Sequence, residues 1–176
     1  KRQLIRRFSP DCIVSTGVAG GIDACLKVTD VVASQRLVYH DVWCGDGNEY
    51  GQVQGFPASY EGCSSLLKHA LSLNEAGMES RIHSGLVCTG DQFITNRTEL
   101  DTIKQRFPDG LAVDMESAAI AQTCYLYNVP FLSFRIISDT PGVEDHASQY
   151  ADFWGTMAER SFLTIWTFLS TLPSNL

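Results

Sequence analysis

Apolar positions along this chain recur in two rhythms, and their alternation predicts an α/β fold. Runs of β-branched and apolar residues mark strands at Cys12–Thr16, Val28–Ser34, Ile82–Thr89, Leu111–Val113 and Val129–Ile137. Other segments space their apolar residues three and four apart, as a helix with one buried face does. Glu61–Gly77 carries Leu66, Leu67, Ala70, Leu71 and Leu73 in this way, with Gly77 placed to cap its end. Arg97–Phe107, the alanine-rich Asp114–Tyr127 and a long closing segment, Ser148–Leu172, read likewise. Lys1–Phe8 reads as the end of a helix, in which Leu4, Ile5 and Phe8 interleave with a solvated basic face. His40–Tyr60 is rich in Gly, Asp and aromatics without helical period, and reads as a long functional loop. Thr140–His146 reads as a shorter one.

Strands alternating with helices imply a sheet covered on both faces. The 176 residues suit one domain, 1–176, large enough to bury a core without staples. Because an α/β domain rarely begins within a helix, the expectation is an internal start.

Charge and cysteine usage narrow the function. Against 13 Lys and Arg stand 20 Asp and Glu, a net charge of −7, which argues against a nucleic-acid partner. The six cysteines form no CxxC pair, and Cys12, Cys88 and Cys124, beside or within apolar runs, read as small buried hydrophobes kept reduced. No apolar stretch reaches the roughly 18–20 residues of a membrane span, and no signal peptide opens the chain. A soluble, cytoplasmic protein with no membrane partner is expected.

In sheets of this kind, ligands lie beyond the carboxyl ends of strands. Four such ends carry polar or glycine-rich groups: Gly17–Gly21, Gly90-Asp91, Asp114-Met115-Glu116 and Arg135 to Asp139. Their convergence on one cleft is the central expectation. Glu116, placed in the first turn of its helix, either offsets the helix dipole or binds a ligand. Asp139, ending the most apolar strand, is either a turn aspartate or a general acid, since desolvation favours the neutral carboxyl. Arg135, inside that strand, needs a partner or an aqueous cleft. His40-Asp41 is either a dyad or a structural pair. No metal spacing, dinucleotide fingerprint or P-loop ending occurs, so neither metal nor cofactor is expected.

Six strings occur in register: Thr16-Gly17-Val18-Ala19-Gly20-Gly21, His40-Asp41, Glu49-Tyr50-Gly51-Gln52 with Gly55 and Pro57, Gly90-Asp91-Gln92-Phe93-Ile94, Val113-Asp114-Met115-Glu116, and Arg135-Ile136-Ile137-Ser138-Asp139. Together they resemble the 5′-methylthioadenosine/S-adenosylhomocysteine nucleosidases of the nucleoside phosphorylase superfamily. The resemblance implies a three-layer α/β sandwich with a central mixed sheet flanked by helices, here apparently lacking its N-terminal strands. It implies a homodimer that hydrolyses the N-glycosidic bond of a purine thionucleoside without a cofactor.

By that likeness Asp139, helped by Ser138, protonates adenine N7, and Arg135 positions the water site. Glu116 accepts hydrogen bonds from both ribose hydroxyls, beside Asp114 and Met115. Phe93 stacks on the base, and the backbone of Ile94 reads its edge. Val18, Ala19 and Gly20 line the substrate, while Tyr50 and Pro57 sit on a loop that shapes the partner's alkylthio pocket. Two departures stand out. The family's opening segment, with its water-activating glutamate, has no match, so the chain as it stands could be inactive. Val18 replaces a serine or threonine found in many members, which favours hydrolysis over phosphorolysis. A purine nucleoside phosphorylase of the same fold and a non-catalytic nucleoside-binding protein are the rival readings.

Overall fold

The computed structural model describes residues 2–77, 80–141, 143 and 145–173, with the backbone alone at 156–158, 160 and 161. Six strands form a mixed sheet: β1 (Ile13–Gly21), β2 (Val31–Tyr39), β3 (Tyr60–Glu61), β4 (Ile82–Thr89), β5 (Gly110–Asp114) and β6 (Phe131–Asp139). Their spatial order is β3-β2-β4-β5-β1-β6, and β6 also pairs back onto β2. The β1–β6, β2–β4 and β4–β5 pairs are parallel, whereas β1–β5 and β2–β6 are antiparallel. The return of β6 onto β2 closes five strands into a ring, so β6 is hydrogen-bonded on both sides. All nine of its residues are buried, which is why its apolar residues do not alternate with exposed polar ones.

Helices cover the strands: α1 (Arg2–Phe8), α2 (Ser64–Ser72), α3 (Arg97–Arg106), α4 (Ser117–Tyr127), α5 (His146–Asp152) and α6 (Ala158–Ser170). Side chains alternate across the pleat. Val31, Ala33, Leu132, Phe134 and Ile136 pack with Leu66 and Ala70 of α2 and Ile165 and Phe168 of α6. Val32 and Ile137 face the other way, onto Ala118, Ile120, Ala121 and Cys124 of α4. A third cluster packs α3, through Leu100 and Ile103, on Val38, Leu86, Cys88 and Val113. Among the described residues no helix is long and apolar enough to cross a membrane.

Three boundaries differ from the sequence reading. The glycine cluster is strand, not loop: Gly17 to Gly20 continue the β1–β6 ladder, and Gly20 and Gly21 pair with β5. Two neighbouring strands hold the backbone extended there despite its turn-like composition. β2 runs to Tyr39 because β4 stays in register beside it as far as Thr89. The single closing helix is two helices, split by a π turn over Phe153–Met157. Within that turn, whose bonds run i→i+5, Phe153 is fully buried and Trp154 half-exposed.

Candidate active site

The carboxyl ends of β1, β5 and β6, with Gln92, Phe93 and Ile94 from the loop after β4, border a cleft of about 460 Å³, within the roughly 300–1,000 Å³ usual for small-molecule sites; Gly90-Asp91, expected there, is not part of the lining. Of the residues singled out from the sequence, Val18, Ala19, Gly20, Phe93, Ile94, Asp114, Met115, Glu116, Arg135, Ser138 and Asp139 all line it. Tyr50 and Pro57 do not. Tyr50 lies on the long loop, where the Arg106 guanidinium sits 3.8 Å from its ring centroid and Trp43 stacks beside it. Pro57 is half-buried further along the same loop.

At the base of the cleft is a buried polar cluster. Arg135 Nε lies 2.9 Å from Asp114 Oδ2. The same nitrogen donates to the Ser117 and Ser133 hydroxyls at 3.0 and 3.1 Å, and Nη2 donates to Ser15 Oγ at 3.2 Å. Asp114 also accepts from Thr89 Oγ1 at 2.6 Å and from the Ser117 hydroxyl and backbone amide. The need of Arg135 for a partner or a cleft is met by both. A methyl at Gly17 would overlap the guanidinium, so the glycine makes room for Arg135.

Glu116 corrects the sequence reading. It is the N-cap of α4, not part of the first turn, and its carboxylate makes no capping bond. The side chain is 57% exposed and its Oε2 lies 3.4 Å from Arg135 Nη1. It therefore stands free in the cleft with one buried cation behind it. Asp114 is the reverse, its carboxylate turned inward and occupied by Arg135, Thr89 and Ser117, which suits it to holding the site rather than touching a ligand.

Asp139 is 2% exposed at the end of β6. Ser138 Oγ donates to its Oδ1 at 2.5 Å, and His146 Nε2 lies 2.8 Å from its Oδ2. Also lining the cleft, Phe93 and Met115 are large apolar side chains left 54% and 42% exposed. Such exposure at a concave site marks a surface awaiting a ligand. Phe93 packs edge-on against Tyr150, which meets Trp154 in the same way.

Sequence reasoning missed Ser15, Tyr150, Trp154 and His146. The spacing of four between Tyr150 and Trp154 was visible, but nothing local showed that their face meets β6. His40 and Asp41 lie outside the cleft lining. Asp41 Oδ2 accepts from the Asp91 amide at 2.7 Å, while His40 is buried against Gly90 with its Nε2 unpaired. Burial holds the His40 imidazole below its ordinary pKa, against an opposing pull from Asp41.

A family model described as the phosphorylase superfamily matches residues 1–170, the class that this ring of strands and its cleft define. The chain is 44% identical over 147 residues to the 5′-methylthioadenosine/S-adenosylhomocysteine nucleosidase of Chromohalobacter salexigens, covering 83% of this chain and 63% of that one. It is 38% identical over 170 residues to the nucleosidase of the same name from a Geobacillus species, covering 96% and 73%. Among solved structures, the Neisseria meningitidis nucleosidase in complex with methylthio-immucillin-A superposes with a TM-score of 0.89 at 33% identity, covering 97% and 74%. The Colwellia psychrerythraea nucleosidase in complex with adenine gives 0.90 at 34%, covering 99% and 73%. The chain thus belongs to the 5′-methylthioadenosine/S-adenosylhomocysteine nucleosidase family of the phosphorylase superfamily. It spans 63% of the length of the first of these relatives.

Proposed function

We propose that this cleft binds a purine thionucleoside and that the protein hydrolyses the N-glycosidic bond of 5′-methylthioadenosine or S-adenosylhomocysteine, releasing adenine and the thioribose. The observation that carries the reading is a buried carboxyl, Asp139, opening on the same cleft as an exposed aromatic, Phe93, and a free carboxylate, Glu116.

The chemistry follows from those groups. Adenine anion is a poor leaving group, and a proton from Asp139 to N7 lets it depart neutral. General-acid assistance of this kind is typically worth about 10²–10⁴-fold. Ser138 holds the Asp139 carboxyl in place. As the bond breaks, the ribose gains oxocarbenium character. Glu116 accepts from both ribose hydroxyls, and its negative charge favours that cation over the neutral ground state. Arg135 keeps Glu116 and the water site in position, with Asp114 behind it. Phe93 stacks on the base, Ile94 meets the base edge through its backbone, and Met115 packs beside the sugar. Val18 adds no hydroxyl for phosphate, which supports water as the acceptor.

The protein works as a cytoplasmic homodimer in methionine salvage, with Tyr50 and Pro57 reaching the partner's alkylthio pocket. The test is adenine release from methylthioadenosine in phosphate-free buffer, by the full-length natural protein and by its Asp139→Asn variant. The expected result is release by the natural protein, a fall of about 100-fold or more in the variant, and adenine binding retained in both. Release only after phosphate is added would turn the reading to a phosphorylase. Binding without turnover under either condition would turn it to a nucleoside-binding protein.

A further inference from the structure

His146 plays no part in the chemistry above, yet it makes the closest polar contact of Asp139 other than Ser138. Its Nε2 lies 2.8 Å from Asp139 Oδ2. Both residues are buried, at 7% and 2% exposure. Two lone-pair atoms that close need a proton between them, held by either the imidazole or the carboxyl. The approach lies off the axis of a well-aligned ring N–H bond, so the nitrogen has no hydrogen-bond partner of good geometry. Catalytic hydrogen bonds are often misaligned before substrate binds and tighten in the complex. A tightening element is at hand: the Phe93 ring lies 6.0 Å from the imidazole, centroid to centroid. A base stacked on Phe93 would press on the ring behind it.

The groups facing His146 come from three elements. Asp139 presents a carboxyl from β6, Phe93 a neutral ring from the loop after β4, and Tyr150 of α5 a phenol that borders Phe93. Asp145, the N-cap of α5, turns its Oδ1 to Gln149 Nε2 at 3.1 Å. The pairing open to the imidazole is therefore with Asp139.

We propose that His146 is a positioning and proton-holding partner of Asp139, so that the pair rather than the carboxyl alone keeps a proton ready for the purine; this rests on the nucleosidase reading above. In the cycle, Asp139 passes a proton to N7 and the C1′–N9 bonding electrons leave with neutral adenine. This leaves the Asp139 carboxylate beside a neutral imidazole. Water adds at C1′ and loses one proton, which the imidazole takes up at Nε2 and shares with Asp139, restoring the pair. No net proton is consumed. An imidazole carries a proton reversibly, so the pair holds beside the purine a proton that a lone carboxylate would have to recapture from solvent.

Two readouts test this on the full chain. The first is the imidazole ¹H–¹⁵N spectrum with saturating adenine. An exchange-protected His146 Nε2–H signal is expected, absent from Asp139→Asn and His146→Gln. The second is the pH profile of kcat/KM for adenine release. In His146→Gln, whose amide can still donate to Asp139 but cannot carry the proton, the alkaline limb moves to lower pH by at least one unit. Activity there recovers toward the native value as the pH falls. A uniform loss at every pH with the limb unmoved would mean a structural role and overturn the proposal. So would adenine binding without the protected signal. A native chain that neither binds adenine nor releases it would remove the purine-site reading, and this inference with it.

Discussion

Gly17 is the position where one methyl group tests the architecture of the site. Gly17→Ala adds a Cβ at a residue whose backbone is extended and whose φ is ordinary, so the chain itself is not strained. In an open strand the change would stabilise by roughly 0.5–1 kcal/mol, because alanine has less backbone freedom to lose. Here the added carbon overlaps Nη1 of Arg135. That guanidinium has little room to withdraw: it is 4% exposed and held by Asp114, Ser117, Ser133 and Ser15. Overpacking of this kind costs about 1–3 kcal/mol, so the sign of the effect reverses. Urea unfolding measures it, with Gly155→Ala as the control because nothing lies within 4 Å of a Cβ there. Arg135→Lys removes Nη1 while keeping the charge beside Asp114. In that background Gly17→Ala is expected to be neutral or stabilising, a coupling that a double-mutant cycle isolates. If Gly17→Ala stabilises the native chain, or costs the same in the Arg135→Lys background as in the native one, the account of Arg135 as a tightly seated group is wrong.

Glu116→Gln separates the sugar site from the base site. The carboxylate is 57% exposed and caps nothing, so the urea midpoint should stay within about 0.5 kcal/mol of native stability. Turnover of methylthioadenosine should fall while the Kd for free adenine is unchanged; a weakened adenine Kd would place Glu116 at the wrong part of the ligand. His40 sets a pH dependence of stability. Its folded pKa lies below its ordinary value through burial, so the unfolded chain binds the extra proton. Stability from this residue is full above about pH 6.5 and is lost as the pH falls below it. Urea midpoints between pH 5 and 8 should show the native advantage over His40→Gln growing with pH, and a constant gap would contradict the burial argument.

Much of this protein was legible in one dimension because local physics carried it. The β6 run carries its apolar residues on both faces since both faces and both edges are buried, and that is visible without a fold. Helix periodicity located α2 and α3 to within a few residues, and Gly77 does end its turn at φ 73. The groups at the ends of β1, β5 and β6 could be picked out, because such sheets put chemistry there, whereas at β4 the lining comes from Gln92, Phe93 and Ile94 rather than Gly90-Asp91.

What tertiary structure alone decided is where neighbours override composition. The Gly17–Gly21 cluster looks like a turn, and becomes strand because β6 and β5 offer partners on either side. Glu116 looks like a first-turn carboxylate, and becomes a free group in a cleft because Asp114, three residues before Ser117, binds the start of α4 in its place. His146 looked like loop. Its meeting with Asp139 depends on α5 folding back over the end of β6, a contact between chain segments whose side chains carry no mark of each other. The sequence determined which residues are apolar, charged or unconstrained at each position. Only the folded chain determined which of them lose water together, and the strength of every charge in the site depends on that.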